Sequence, residues 1–197
     1  MDWKKKGFTL LELLAVITAL SILIGIVLPS ISKVKRSVIS KQIKIQYQRY
    51  AQAIVANYNE YGRFPSWLTT NEPVNLSSNI DNFCATLTGK DKDGITAISN
   101  SDLKVYNPYL IEFLELNDAD FNMINNQNTT RDHIRNLFNQ SDIYIVISDG
   151  TTYIPQSAFS SFESIKEIVP SIGLRERVAI FSIGDNKTSI DVVSWNE

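Results

Sequence analysis

Residues 4–31 read KKKGFTLLELLAVITALSILIGIVLPSI, and this stretch determines the structure that we expect for the N-terminal segment. Residues 8–28 form an apolar run of 21 positions that carries a single charge, that of Glu12. An α-helix rises about 1.5 Å per residue, so these residues match the roughly 30 Å hydrocarbon core of a bilayer. We therefore expect a membrane-spanning helix at the N-terminus.

Two features at the start of this run are unusual: an acidic residue within the apolar segment, and a glycine that follows three lysines. Glu12 is a functional candidate, because an acid in a membrane helix costs on the order of a few kcal/mol and needs a partner. Gly7 offers a small, flexible site where a cytoplasmic peptidase could cut. Cleavage there gives Phe8 a free amine with an ordinary pKa of about 8, mostly charged at neutral pH. Phe8 and Glu12 are one helical turn apart and are predicted to share a face.

The run KGFTLLELL at residues 6–14 resembles the class III signal of type IV pilins and of the pseudopilins of type II secretion. The resemblance implies cleavage after Gly7 by a prepilin peptidase that is also a methyltransferase. It further implies N-methylation of Phe8 and use of Glu12 in filament assembly. Pro29 stands where such proteins commonly have a helix-kinking proline.

The helical pattern continues past the apolar run. Apolar and aromatic residues recur mostly at spacings of three and four, which makes one stripe along a helix. The positions are Val34, Val38, Ile43, Tyr47, Tyr50, Ile54, Tyr58 and Tyr61. Gly62 and Pro65 follow as stop signals. A helix over residues 9–61 would be about 80 Å long, and we expect its outer half to pack on a globular domain.

The remaining residues predict an α+β fold in which an antiparallel sheet of about four strands lies against the helix, as in pilin-like proteins. The predicted strands are 143–147, 152–154, 178–183 and 190–195, with Asp149-Gly150 as the hairpin turn between the first two. Short helices are predicted near 79–87, at 130–138 and at 162–169. Residues 109–116 are predicted to be buried, as helix or strand.

The resemblance divides the chain into four parts: a leader at 1–7, a transmembrane and polymerisation helix at 8–31, its amphipathic continuation at 32–62, and an extracytoplasmic globular domain at 63–197. It implies a single pass through the inner membrane, with the N-terminus cytoplasmic and the C-terminal domain periplasmic. The charges conflict with this orientation. Six Lys/Arg at residues 33–49 follow the span, more than the three before it, so the positive-inside rule alone favours the reverse.

Composition excludes several classes of function. Residues 60–197 carry ten Lys/Arg against nineteen Asp/Glu, so this part repels nucleic acid. His133 is the sole histidine, and no phosphate-binding glycine motif is present, so nothing predicts an enzyme. Cys84 is the sole cysteine, which excludes an intrachain disulfide. Many type IV pilins close a C-terminal loop with a cysteine pair, so this difference favours a pseudopilin.

The C-terminal stretch SIGDNKTSIDVVSW, residues 182–195, is similar to the end of the major pseudopilin of type II secretion. In that family the loop can bind calcium, and here Asp185, Asn186 and Asp191 match in residue type. Calcium prefers such oxygen ligands. A plain hairpin turn is the alternative, because the loop is short and contains Lys187.

Taken together, the resemblance implies a structural subunit of a filament, most closely a pseudopilin of a type II protein secretion system. Its partners would be the prepilin peptidase, copies of itself, other pseudopilins and the inner-membrane secretion platform. The alternatives are a minor type IV pilin for adhesion or DNA uptake and a signal-anchored exported protein. A conventional secretory signal cut near Ser30-Ile31-Ser32 is a further alternative, although its apolar region would be shorter.

Overall fold

In the computed structural model of the chain, the described residues are 10–117, 120–121, 131, 133–138, 140–184 and 191–195, and the side chains of 27–30 are not described. By its internal contacts the chain divides into two units, the first ending at Ile39 and the second beginning at Ser40. Each unit is described by itself.

The helix α1 runs from Leu10 to Tyr61 and contributes residues to both units. It ends at Gly62, which has a φ of 71° and whose N–H donates to the carbonyl of Tyr58 at 2.8 Å. Glycine enters this left-handed conformation without the steric cost of a Cβ. The predicted long helix and its stop signal at Gly62 are confirmed.

The second unit contains an antiparallel sheet of four strands within the part of the chain that the structure describes. The strands are β1 (Val74–Asn75), β2 (Ile143–Ile147), β3 (Val178–Ser182) and β4 (Val192–Val193), and they lie in that order. In the register, Ile145 is opposite Ile180 and Phe181 is opposite Val193. The predicted α+β fold with an antiparallel sheet of about four strands is confirmed.

Both faces of this sheet are covered, so β3 is buried along its whole length. On one face, Val146, Ala179 and Phe181 pack with the aromatic rings of Phe159 and Trp195. On the other face, the C-terminal part of α1 supplies four side chains with no exposed surface: Ile43, Tyr47, Tyr50 and Ile54. These four belong to the predicted stripe, whereas Val34 and Val38, in the first unit, are exposed.

The described part of the connection from β1 to β2 holds a 3-10 turn at Ser77–Asn79 and the α-helices α2 (Ile80–Thr88) and α3 (Ser101–Lys104). The helix predicted near 79–87 is therefore confirmed. Residues 109–116, predicted to be a buried helix or strand, form neither, and Tyr109 is 74% exposed. Leu114 is buried there, and its backbone N–H donates to the carbonyl of Leu87.

The connection from β2 to β3 holds a 3-10 turn at Gln156–Phe159 and the helix α4 (Glu163–Ile168), which confirms the helix predicted at 162–169. The strand predicted at 152–154 is wrong. Ile154 instead makes an isolated bridge with Leu174. The Asp149-Gly150 hairpin fails because both edges of β2 are already paired, with β1 on one side and β3 on the other.

The helix predicted at 130–138 is also wrong for its described residues, 131 and 133–138, where no helix forms. Ile134 makes an isolated bridge with Phe121. Asn136 turns the chain, because its side-chain oxygen accepts hydrogen bonds from the backbone N–H groups of Phe138 and Gln140. An asparagine that bonds nearby backbone in this way competes with helix formation.

Candidate functional site

The first unit presents an apolar surface on all sides of α1. In residues 10–26 every described side chain is exposed, including large aliphatic ones at 50% or more of their surface. These are Leu10, Leu11, Leu13, Leu14, Val16, Ile17, Leu20, Ile22, Leu23, Ile24 and Ile26. A helix that is apolar all round is not stable facing water, and its length and composition are compatible with a single membrane crossing.

The two hydroxyl side chains in this apolar surface are satisfied within the helix itself. Thr18 Oγ1 donates to the carbonyls of Leu14 and Ala15 at 3.0 and 2.9 Å, and Ser21 Oγ donates to the carbonyl of Ile17 at 2.8 Å. In hydrocarbon a polar group without a hydrogen bond costs several kcal/mol, on the order of 4–8. The internal bonds remove that cost, so Thr18 and Ser21 fit a lipid environment.

Glu12 lies in the first turn of α1 with its side chain exposed among leucines. It is the one acid in residues 10–59. Gly7 and Phe8, predicted as the cleavage and methylation site, lie outside the described residues. At position 29 the backbone belongs to α1, but the Pro29 side chain is not described, so the predicted kink stays a prediction.

Of the three predicted calcium ligands, Asp191 lies among the described residues. Asp185 and Asn186 lie outside them. Asp191 Oδ1 accepts a hydrogen bond from the backbone N–H of Gly184 at 2.6 Å. Among the described residues no group of three or more His, Cys, Asp or Glu is placed to hold a metal ion. One carboxylate falls short of the six to eight oxygens that calcium takes, so calcium binding stays a prediction.

A buried carboxylate that the sequence did not single out ties α1 to the loop after residue 116. Asp120 Oδ1 accepts hydrogen bonds from Tyr50 Oη at 2.9 Å, Gln46 Nε2 at 3.0 Å and Arg49 at 2.8 Å. Asp120 Oδ2 accepts from the backbone N–H of Asn117. Burial, followed by the charge of Asp120, raises the pKa of Tyr50 well above its usual value. We call these side chains the Asp120 clamp.

A second polar group lies between α1 and β3. Asn136 Nδ2 donates to Tyr47 Oη at 2.9 Å and to Ser182 Oγ at 3.1 Å, and all three residues are buried. Burial raises the pKa of Tyr47, and its hydrogen bonds with Ser182 and Asn136 oppose the rise. The arrangement satisfies polar groups inside the core, which is a structural role. The aromatic spacing predicted Tyr47 to be buried, but gave no sign of its partners.

Cys84 is buried on α2 and is a free thiol. Burial raises its pKa to about 12, with a further rise from the nearby Asp81 charge. Since the thiolate is the reactive form, the thiol is chemically quiet at neutral pH.

Two of the concave surfaces in the described part of the second unit are lined by residues of α1. One is a cleft of about 130 Å³ beyond the end of α1, lined among others by Tyr61, Phe64 and Tyr106. The other is an open groove of about 390 Å³ beside α1, lined among others by Val55 and Arg175. Neither brings together a nucleophile, a base and an orienting acid, which catalysis by covalent attack needs.

Comparison with known proteins gives one finding, and it falls on the N-terminal segment. A family model described as the prokaryotic N-terminal methylation motif matches residues 4–28. This range includes the predicted cleavage site, Glu12 and most of the exposed apolar surface. No curated protein and no solved structure was found to match the chain.

Proposed function

We propose that this chain, whose N-terminal methylation motif is that of type IV pilin-like subunits, serves as a pseudopilin in a type II protein secretion system. The observation that carries the proposal is the match at residues 4–28 on a helix that is exposed and apolar all round. A segment of this kind has two suitable surroundings, a bilayer and a bundle of identical helices. A filament subunit uses both in succession.

Processing comes first in this proposal. The prepilin peptidase cuts after Gly7 and methylates the new amine of Phe8. Before cleavage the chain is anchored in the inner membrane, with its N-terminus in the cytoplasm and its C-terminal domain in the periplasm. After cleavage the subunit leaves the bilayer for a periplasmic filament, through the inner-membrane secretion platform.

Assembly then depends on Glu12. In the bilayer its carboxylate is a negative charge in an apolar segment, which is unfavourable. Within the filament, Glu12 of an incoming subunit pairs with the Phe8 amine of its neighbour. Removing one partner of a buried charge pair typically costs about 3 to 5 kcal/mol, enough to prevent addition of the subunit. A contact that joins different surfaces of identical subunits and does not close on itself generates a filament.

The experiment that tests assembly replaces Glu12 in the full chain in its native host. We expect Glu12→Ala to abolish filaments while leaving membrane insertion and cleavage after Gly7 intact. Glu12→Asp, which keeps the charge, is expected to retain part of the assembly. Thr18→Ala is the matched control, because it removes a polar group from the same segment without changing charge. Normal filaments from Glu12→Ala would refute the role of Glu12.

A minor type IV pilin for adhesion or DNA uptake is the second candidate, and one observation favours it. Val105 and Tyr109 are 55% and 74% exposed, and exposed apolar side chains of this kind suit an adhesive surface. Against DNA uptake stands the acidic composition of residues 60–197. Deleting the chain separates the candidates: a pseudopilin is needed for export of folded proteins, and a minor pilin for attachment.

Calcium binding by Asp185, Asn186 and Asp191 belongs to the same proposal, as an expected property of a pseudopilin loop. Calorimetric titration of the full chain with calcium tests it. A calcium-dependent heat that Asp185→Asn abolishes would support binding, and the absence of heat would contradict it.

A further inference from the structure

The groove beside α1 combines small apolar side chains of α1 with two arginines. From α1 it is lined by Ala51, Val55 and Ala56, which form its apolar floor, and by the polar Gln52 and Asn59. Arg175 and Arg177 stand in the wall, with Glu176 between them. The guanidinium of Arg177 lies 5.0 Å from the centre of the Tyr58 ring and donates to Asn59 Oδ1 at 3.4 Å, whereas Arg175 is exposed. We call this surface the α1 groove.

A different part of the same unit presents a projecting aromatic side chain followed by acids. Tyr109 is 74% exposed, although its ring lies 6.1 Å from that of Tyr61. Glu112 and Glu115 follow it and are exposed as well. Glu112 Oε2 is 2.9 Å from Lys90 Nζ and so already forms an ion pair. Glu115 is therefore the better placed of the two acids for a contact with another molecule. We call residues 107–115 the aromatic loop.

The aromatic loop is held rigidly. The side chain of Asn107, fully buried, donates to the carbonyl of Ile111 at 2.6 Å and accepts from its backbone N–H at 2.9 Å. Leu110 has a φ of 53°, a conformation that is strained for a leucine. A Cβ at Gly89 would stand 2.7 Å from the Leu110 carbonyl, so the loop backbone packs directly on the end of α2. Tyr109 is thus pre-organised in its exposed position.

The groove and the loop lie on opposite sides of the end of α1. Asn59 lines the groove, and Tyr61 contacts Tyr109. Two residues along an α-helix correspond to a rotation of about 200°. One copy of the chain therefore presents its groove and its loop in different directions, and can contact one neighbour through each.

The charges of the two surfaces are complementary. The aromatic loop carries Glu112 and Glu115 and no Lys or Arg. The lining of the groove carries Arg175 and Arg177 against one acid, Glu176. The occupant that this surface fits is therefore an apolar side chain accompanied by carboxylates, which is what the aromatic loop offers.

We infer that the aromatic loop of one copy of this chain docks in the α1 groove of a second copy. The Tyr109 ring packs on the Ala51, Val55 and Ala56 floor, and the carboxylate of Glu115 lies against Arg175. Because the two surfaces differ, the contact is head-to-tail and repeats without closing. The inference rests on the proposed function, since it supplies a contact between the domains of filament subunits.

Cross-linking in the native host tests this contact in the full chain. Two differently tagged copies are co-expressed, one with Gln52→Cys in the groove and one with Pro108→Cys in the loop, and a short thiol cross-linker is added. Pro108 is exposed beside Tyr109, so the tyrosine that makes the contact is kept. The native Cys84 is buried and stays in both copies. Ile95→Cys replaces Pro108→Cys in the matched control, since Ile95 is 86% exposed in another loop. We expect about tenfold more mixed dimer from positions 52 and 108 than from 52 and 95.

A charge-reversal series supplies a second measurement that is independent of the cysteines. Arg175→Glu and Glu115→Arg are each expected to reduce the mixed dimer about tenfold, and the two together, one in each copy, are expected to restore it. Equal yields from positions 108 and 95 in assembled filaments would overturn the inference and leave the proposed function standing. Cross-linking of the groove to another protein would overturn it in the same way. If the unaltered chain forms no filaments, the proposed function fails.

Discussion

Tyr50 donates a 2.9 Å hydrogen bond to Asp120, a residue seventy positions further along the chain. Both residues are buried, and the same Asp120 oxygen accepts from Gln46 and Arg49 on the same helix. The Asp120 clamp thereby fixes the loop after residue 116 to α1. A buried carboxylate is tolerated because each surrounding donor replaces a hydrogen bond that water would make.

Removing Asp120 from the clamp should destabilise the second unit. Asp120→Ala leaves the buried hydroxyl of Tyr50 without its acceptor, whereas Gln46 Nε2 keeps Tyr50 Oη and the Arg135 carbonyl. We expect a loss of about 2 kcal/mol in the free energy of unfolding. Arg49→Gln should cost less than about 1 kcal/mol, because the Arg49 side chain is 44% exposed and its ion pair is weakened by solvent. Urea denaturation of the full chain in detergent micelles measures both.

Equal losses in these two variants would contradict this account of the clamp. The comparison is informative because both changes remove a partner from the same interaction, and they differ in the burial of the group that is lost.

High pH should destabilise the chain through two tyrosines. Burial raises the pKa of Tyr47 and of Tyr50, so the folded chain retains protons that the unfolded chain releases. The stabilisation is complete below the unfolded pKa of about 10 and is lost as the pH rises above it. We expect the unfolding midpoint in urea to fall more steeply above about pH 10 for the native chain than for Tyr47→Phe or Tyr50→Phe. A decline of equal slope in all three would show that neither phenol contributes.

Two glycines of similar backbone conformation should respond differently to alanine. Gly89 and Gly62 have φ values of 67° and 71°, so each substitution adds the left-handed strain of about 1–2 kcal/mol. A Cβ at Gly89 would also meet the Leu110 backbone at 2.7 Å, whereas nothing lies within 4 Å at Gly62. Thermal unfolding should therefore show a clearly lower midpoint for Gly89→Ala than for Gly62→Ala. Equal midpoints would mean that the aromatic loop moves away at no cost.

Cys84 should resist alkylation while the chain is folded. Burial raises its pKa to about 12, so little thiolate is present at pH 8, and access is closed as well. Iodoacetamide is expected to modify Gln52→Cys quickly and Cys84 only when urea is added, as followed by mass spectrometry. Modification of Cys84 in the folded chain at the rate of position 52 would contradict the burial described here.

The sequence predicted those features whose signals are local. The stripe of α1 placed Ile43, Tyr47, Tyr50 and Ile54 in the core, and they have no exposed surface. That prediction succeeds because burial of one helix face imposes a repeat that a single sequence displays. Continuous runs of β-branched and aromatic residues located β2 and β3, whose side chains are buried on both faces of the sheet.

The failures lie where distant residues compete for the same partner. Asp149-Gly150 is a good local turn, but β2 pairs on both sides with β1 and β3, so residues 152–154 have no edge to join. β1 itself is two residues long and carries no periodic signal. Strand pairing of this kind depends on the tertiary structure. The helix predicted at 130–138 fails for a local reason instead, because the side-chain oxygen of Asn136 accepts hydrogen bonds from the backbone of Phe138 and Gln140.

The candidate site likewise contains one feature that the sequence predicted and two features that it did not. The methylation motif is readable because it is contiguous, and the family match at residues 4–28 agrees with the prediction. The Asp120 clamp joins residues seventy or more positions apart and was missed, since a lone aspartate in a polar segment gives no signal of burial. The α1 groove is likewise a product of folding, which brings residues 51–59 beside residues 175–178.

The mature N-terminus tests the central claim most directly. The full chain is isolated from filaments or membranes of its native host, and its N-terminal peptide is sequenced by mass spectrometry. The account predicts a chain that begins at Phe8 and carries one methyl group on the α-amine. A chain that begins at Met1, or after residue 30, or at an unmethylated Phe8, would contradict it.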